Sequence, residues 1–207
     1  MVQETRDTRS AVLAAACTLL DEVPFDDISY RVLGDTVGVA ERTVFRHFPT
    51  RAHLLTGVAQ RIDTLEMPFA PFRTAAEFRA STRQRFLAFD TAPRKAGVLA
   101  RSAAVSPVSA PEPDFLTHAV VAVVEHELPG ANRRDLRRAA GALRTFAAPL
   151  FWAHARTSLG MDGAAAADVL DVVTERVLAA LRPAGEHAQS SSSSSSSSSS
   201  LPSWPLP

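Results

Sequence analysis

The sequence predicts an all-α fold, a small N-terminal three-helix unit followed by a larger helical domain. Three observations carry this. Apolar residues recur at i, i+3, i+4 and i+7 through most of the chain, the spacing of an amphipathic helix. No segment sustains period-two alternation or offers an Asn-Gly hairpin turn, so strands are not expected. Between residues 29 and 47, two short helical stretches flank Gly38, the punctuation of a helix-turn-helix.

The elements follow in order. Residues 9–22 place Val12, Leu13, Ala16, Leu19 and Leu20 on one side of a helix that Pro24 ends. Asp27 or Ser29 can cap a short helix starting near residue 29, with Tyr30, Leu33 and Val37 at buried spacing. Gly38-Val39 makes the turn, because glycine tolerates a left-handed backbone. A second short helix over 40–47 buries Val44 and presents Arg42, Thr43, Arg46 and His47. Thr50 starts a helix over 50–65 built on Leu54, Leu55, Val58, Ile62 and Leu65.

Met67-Pro68 and Pro71 mark a break, giving a domain over residues 1–65 and a second over 66–183. The second holds helices near 74–91 and 94–104, a proline-rich loop at 106–113, and a helix at 114–128 capped by Asp114 with Phe115 inside. A helix over 132–158 follows. Pro149 kinks it or divides it in two. The last helix covers 163–182. Residues 184–207, with serine unbroken from 190 to 200 and LPSWPLP after it, lack the apolar surface that repays ordering and read as a disordered tail.

Composition narrows the function. The 207 residues are 46% hydrophobic and 21% charged, the balance of a soluble chain with a sizeable core. Lys+Arg and Asp+Glu are 22 each, so bulk electrostatic coating of nucleic acid or an anionic membrane is excluded. One cysteine, Cys17, forms no internal disulfide and reads as a small buried hydrophobe. No apolar run reaches membrane-spanning length and the N-terminus has no signal core, which points to a cytoplasmic chain. Neither a nucleophile elbow, a phosphate-binding glycine loop nor a His-Glu-x-x-His pair occurs, so no enzyme, cofactor or metal site is expected.

Charge is focal rather than global. Residues 42–51 hold Arg42, Arg46, His47 and Arg51 without an acid, whereas the acids cluster at 21–27, where they can face away. A cationic face on the second helix of a helix-turn-helix suits entry into a DNA major groove. A helix-turn-helix used only for protein contacts would not require it.

Residues 9–55 resemble the N-terminal domain of the tetracycline-repressor (TetR) family of transcriptional regulators. RSAVLAAACTLL is similar to that family's first helix, and VLGDTVGVAERTVFRHFPTRAHLL to its turn and recognition helix. The resemblance implies a homodimeric, ligand-responsive repressor on a near-palindromic double-stranded DNA operator. It implies that Ser29 bonds a phosphate at a helix start and that Thr43, His47 and Arg51 grip the backbone, Arg51 standing where lysine is usual. Arg42 and Arg46 are candidates for bidentate guanine contact. Phe45 replaces a usual tyrosine and loses its hydroxyl. Ala40 replaces a usual capping serine, a loss of about 1 kcal/mol. Glu41 suits a helix N-terminus; near DNA it either repels phosphate or accepts from a cytosine amine.

Two broad apolar stripes in the later helices call for partners on more than one side. Leu143, Ala147, Leu150, Phe151, Val169, Val172, Val173 and Ala180 are the expected dimer face; burial inside one chain is the alternative. Phe86, Phe89, His118, Val123, Phe146 and Trp152 are candidate lining for a small lipophilic or aromatic effector, with ordinary core packing as the other reading.

Overall fold

The structure, a computed structural model, describes residues 2–105 and 115–182, with side chains from residue 7. The expected loop at 106–113, the Asp114 cap, the Phe115 side chain and the Ser-rich tail with Trp204 lie outside the described residues.

Ten α-helices make up the described chain, and no strand occurs among the described residues. α1 (Val2–Leu19) begins earlier than its apolar pattern, and its inner face of Val12, Leu13 and Ala16 is buried. A 3-10 turn (Phe25–Asp27) leads into α2 (Tyr30–Val37), capped by Ser29, whose Oγ accepts from the Val32 amide at 3.1 Å. α3 spans Glu41–His47 and α4 spans Arg51–Arg61. α4 runs on into a wider π turn, Ile62–Glu66.

α5 (Ala75–Thr91) opens on a reciprocal cap between Thr74 and Glu77, which satisfies backbone amides at its free end. α6 (Pro93–Val105), α7 (Phe115–Glu127), α8 (Arg133–Phe146), α9 (Pro149–Leu159) and α10 (Gly163–Leu181) complete the fold. The helix expected over 132–158 is therefore two. Ala148 is extended, as a residue before proline prefers, and Pro149 takes the first position of α9, where its missing N–H costs nothing.

Two apolar cores result. One joins α1–α4 to Phe86 and Phe89 of α5, Ala96 and Leu99 of α6, and Trp152 of α9. The other packs Phe78, Val120, Val123, Leu143 and Leu170 between α5, α7, α8 and α10. The chain turns at Met67-Pro68, but the first core runs across that turn without a gap. α10 approaches α5 so closely that a Cβ on Gly163 would meet the Phe86 carbonyl oxygen.

This packing revises several expectations. Leu143 and Ala147 are fully buried by their own chain, so they supply no dimer surface. Leu150, Val172 and Ala180 are exposed, while Phe151, Val169 and Val173 are half-buried. Phe86, Phe89, Val123 and Trp152 are core residues with the rings of Phe89 and Trp152 packed edge-on at 5.4 Å. His118 is exposed, and Phe146 packs on Phe151 at 4.9 Å. None of these six lines a cavity; the clefts that the fold leaves are lined by other residues.

Candidate nucleic-acid interface

The reading surface is built on a close helix crossing. Gly38 adopts φ 73°, a left-handed conformation that closes α2, and the Val39 amide donates back to the Gly34 carbonyl at 2.9 Å. A Cβ on Gly34 would lie 2.7 Å from the Val39 oxygen and 3.3 Å from the Glu41 nitrogen. α3 can therefore sit against α2 only because residue 34 has no side chain. Val44 pins the inner face of α3 with no exposure, and Leu33 does the same for α2. Local sequence sets the helices; this contact sets their angle.

Arg42 and Arg46 stand one turn apart on the outer face of α3, and both are exposed. Phe45 lies between them in sequence and is 56% exposed, with its ring edge-on to Tyr30 at 6.1 Å. A large apolar ring left in water on a cationic helix suits contact with sugar or a thymine methyl. Thr43 is half-buried on the flank. Ala40 makes no side-chain cap bond, and Glu41 takes the first turn, where its charge meets the positive helix end. Ser29, besides capping α2, is exposed at that helix start.

His47 and Arg51 differ from a simple cationic patch. His47 is half-buried; burial, then the charges of Arg46 and Arg9, hold its imidazole below the ordinary histidine value, so it is neutral at pH 7. Arg51 points inward. Its guanidinium donates to the carbonyl oxygens of Ile28 at 2.6 Å and Phe25 at 2.5 Å and lies 4.3 Å from the Phe25 ring centre. It ties the start of α4 to the loop that precedes α2. The positive charge of the reading face thus rests on Arg42 and Arg46.

Arg9, which the sequence pattern did not single out, joins this surface from α1. It is exposed, stacks over the Phe48 ring at 5.2 Å, and stands beside His47. Only the tertiary approach of α1 to the end of α3 brings it there. At the start of α4, Thr50 accepts from the His53 amide, and its hydroxyl lies 2.7 Å from the His53 Nδ1.

The acidic cluster at 21–27 is turned toward α6 rather than toward α3. Asp21 pairs with Lys95 at 2.9 Å, and Asp26 pairs with Arg101. Glu66 joins Lys95 at 3.0 Å. Burial lowers the proton affinity of Lys95, but Asp21 and Glu66 outweigh it and hold the ammonium above the ordinary lysine value. Cys17 is buried, and desolvation together with Glu66 pushes its thiol up to about 12, which removes the thiolate that redox sensing needs. Among the described residues no three His, Cys, Asp or Glu side chains gather as metal ligands, and no helix is long and apolar enough to cross a membrane.

Residues 12–58 match the family described as bacterial regulatory proteins, tetR family. Two nucleoid occlusion factors named SlmA are similar over the same part of the chain. That of Idiomarina loihiensis is 32% identical over 66 residues, 31% of this chain and 34% of that protein. That of a Marinomonas species is 32% identical over 63 residues, 30% of this chain and 32% of that one. The matched segment thus spans about a third of the length of these relatives. Among solved structures, NalD, described as the secondary repressor of the MexAB-OprM multidrug efflux pump in Pseudomonas aeruginosa, aligns at a TM-score of 0.48 and 18% identity. The alignment covers 84% of this chain and 97% of that one.

Proposed function

We propose that this chain, which carries the DNA-binding domain of the tetR family of bacterial regulatory proteins over residues 12–58, is a sequence-specific DNA-binding transcriptional regulator. The observation that carries the reading is the pair Arg42 and Arg46, exposed one turn apart on a helix whose other face is locked by Val44 and by the Gly34 crossing. Rigid presentation of two guanidinium groups from one helix is the geometry of base readout in a major groove. Arg9, Thr43 and Ser29 stand where they can hold the flanking phosphates, and neutral His47 can donate one hydrogen bond without charge.

A single head reads only a few base pairs, so a homodimer on a near-palindrome, with heads about 34–36 Å apart, is the working arrangement. Leu150 and Val172, at 49% and 58% exposure, support a dimer face on α9 and α10. The regulator is a repressor that responds to a small lipophilic or aromatic effector, which shifts the population between two head spacings.

The deciding experiment is a gel shift of the full chain on the DNA upstream of its own gene. Arg46→Ala should weaken specific binding by about 1–3 kcal/mol while circular dichroism stays unchanged. Equal affinity for every sequence, with no loss in the variant, overturns the proposal.

A further inference from the structure

The chain leaves a cleft of about 280 Å³ between the π turn, the segment after it, α5, α7 and α8. Its apolar wall is Phe69 and Leu116, and its polar lining is Asp63, Arg85 and Arg144. Two guanidinium groups face one carboxylate there, a surplus of one positive charge. Arg85 is the unusual member. It is 96% buried, being only 4% exposed, yet it keeps its charge in an interior position. Its guanidinium lies 4.3 Å from the Phe69 ring centre and 5.3 Å from that of Phe89. One nitrogen forms an ion pair with Asp63, while its Nε has no hydrogen-bond partner.

Burying a cation with one partially exposed counter-ion and an unpaired donor is costly, and nothing in core packing calls for it. Burial accordingly lowers the proton affinity of Arg85; Asp63 opposes that, and the neighbouring charge of Arg144 adds to it. A second carboxylate would relieve each of these costs at once.

We propose that this cleft takes a carboxylate-bearing apolar small molecule, with its carboxylate between Arg85 and Arg144 and its hydrocarbon against Phe69 and Leu116. The inference rests on the reading of the chain as an effector-responsive DNA-binding regulator and names the effector's chemical class. It also supplies a route to the head. Asp63 lies on the turn that continues α4, and α4 contributes Leu54, Leu55 and Val58 to the core beneath α1 and α3. A ligand carboxylate competes with Asp63 for Arg85 and so releases the end of α4 from α5.

Calorimetry on the full chain tests this, with 1-naphthoate and 1-naphthalenemethanol as probes that differ only in charge and one oxygen. Naphthoate should bind at least about tenfold more tightly, since a charge-assisted pair of hydrogen bonds replaces neutral ones. Arg144→Gln and Arg85→Gln should each remove most of that preference, and Asp63→Asn should strengthen naphthoate binding by removing the competitor. Should Arg85→Gln fail to fold, Arg144→Gln decides. Equal affinity for the two probes, no binding of either at millimolar concentration, or a preference unchanged in Arg144→Gln overturns the inference. A gel shift on the same preparations separates the two readings. Operator binding without naphthoate preference sinks only the effector class. Naphthoate preference without sequence-specific DNA binding sinks the regulator reading and leaves the cleft.

Discussion

Arg101 on α6 reaches back to Asp26 in the turn before α2, its Nη1 lying 2.8 and 2.9 Å from the two carboxylate oxygens. With Lys95 and Asp21, this pair joins the larger domain to the N-terminal head on the side opposite in charge to α3. Both partners are more than half exposed, so solvent screens the pair. Arg101→Ala should cost no more than about 1 kcal/mol in urea unfolding. Lys95→Ala should cost more, because its ammonium is 14% exposed and bridges two carboxylates. The reverse order would mean that the head is held by the outer pair.

Arg51 is a structural tie in this fold. Arg51→Ala removes donors from two backbone carbonyls and a cation–ring contact, an expected loss of about 1–3 kcal/mol in thermal or urea unfolding. Arg51→Lys should recover only part of it, because a point charge cannot span two acceptors as the planar fork does. The salt dependence of DNA binding separates the roles. A slope of log K against log salt reduced by about one, with stability intact, would show a phosphate contact instead.

Gly34 controls DNA affinity without touching DNA. Gly34→Ala forces a methyl group against the Val39 carbonyl and the Glu41 amide, both backbone, so α3 must move. Overpacking of this kind costs about 1–3 kcal/mol. Operator affinity should fall in fluorescence anisotropy even under conditions where the variant is fully folded. Undiminished affinity would show that the crossing angle is not what positions Arg42 and Arg46.

Asp90 holds three donors from two other helices and the α10 start. It accepts from Trp152 Nε1 at 3.0 Å, Arg156 Nη1 at 3.1 Å and the Gly163 amide at 2.6 Å. Asp90→Ala leaves the indole N–H and a helix-end amide without an acceptor, a loss of about 2–4 kcal/mol in urea unfolding. Asp90→Asn keeps one acceptor oxygen and should lose less. DNA affinity of the folded protein should be unaltered in both.

The helices were legible because their signals are local. Ser29 and Thr50 cap where their sequence positions say they should, and Gly38 sits in the left-handed turn its context calls for. Arg42 and Arg46 at i and i+4 needed no tertiary information to share a face. Pro149 signalled a break, though periodicity alone left one helix or two open. Gly34 escaped notice because a small residue inside a helix carries no pattern; its meaning lies in the carbonyl opposite it. Arg9 escaped for a similar reason, since its neighbours His47 and Phe48 are distant in sequence.

Near neighbours along the chain therefore specify the all-helical architecture, the helix-turn-helix and the two arginines of its outer face. Three-dimensional packing assigns each apolar stripe and each charge its partner. It encloses Leu143 and Ala147 within one chain, turns Arg51 from an outward cation into a bridge between carbonyls, and buries Arg85 beside Asp63. The physical reason is the same in all three cases. Periodicity states that a side chain faces something, while burial, hydrogen bonding and electrostatics depend on what the rest of the chain places there.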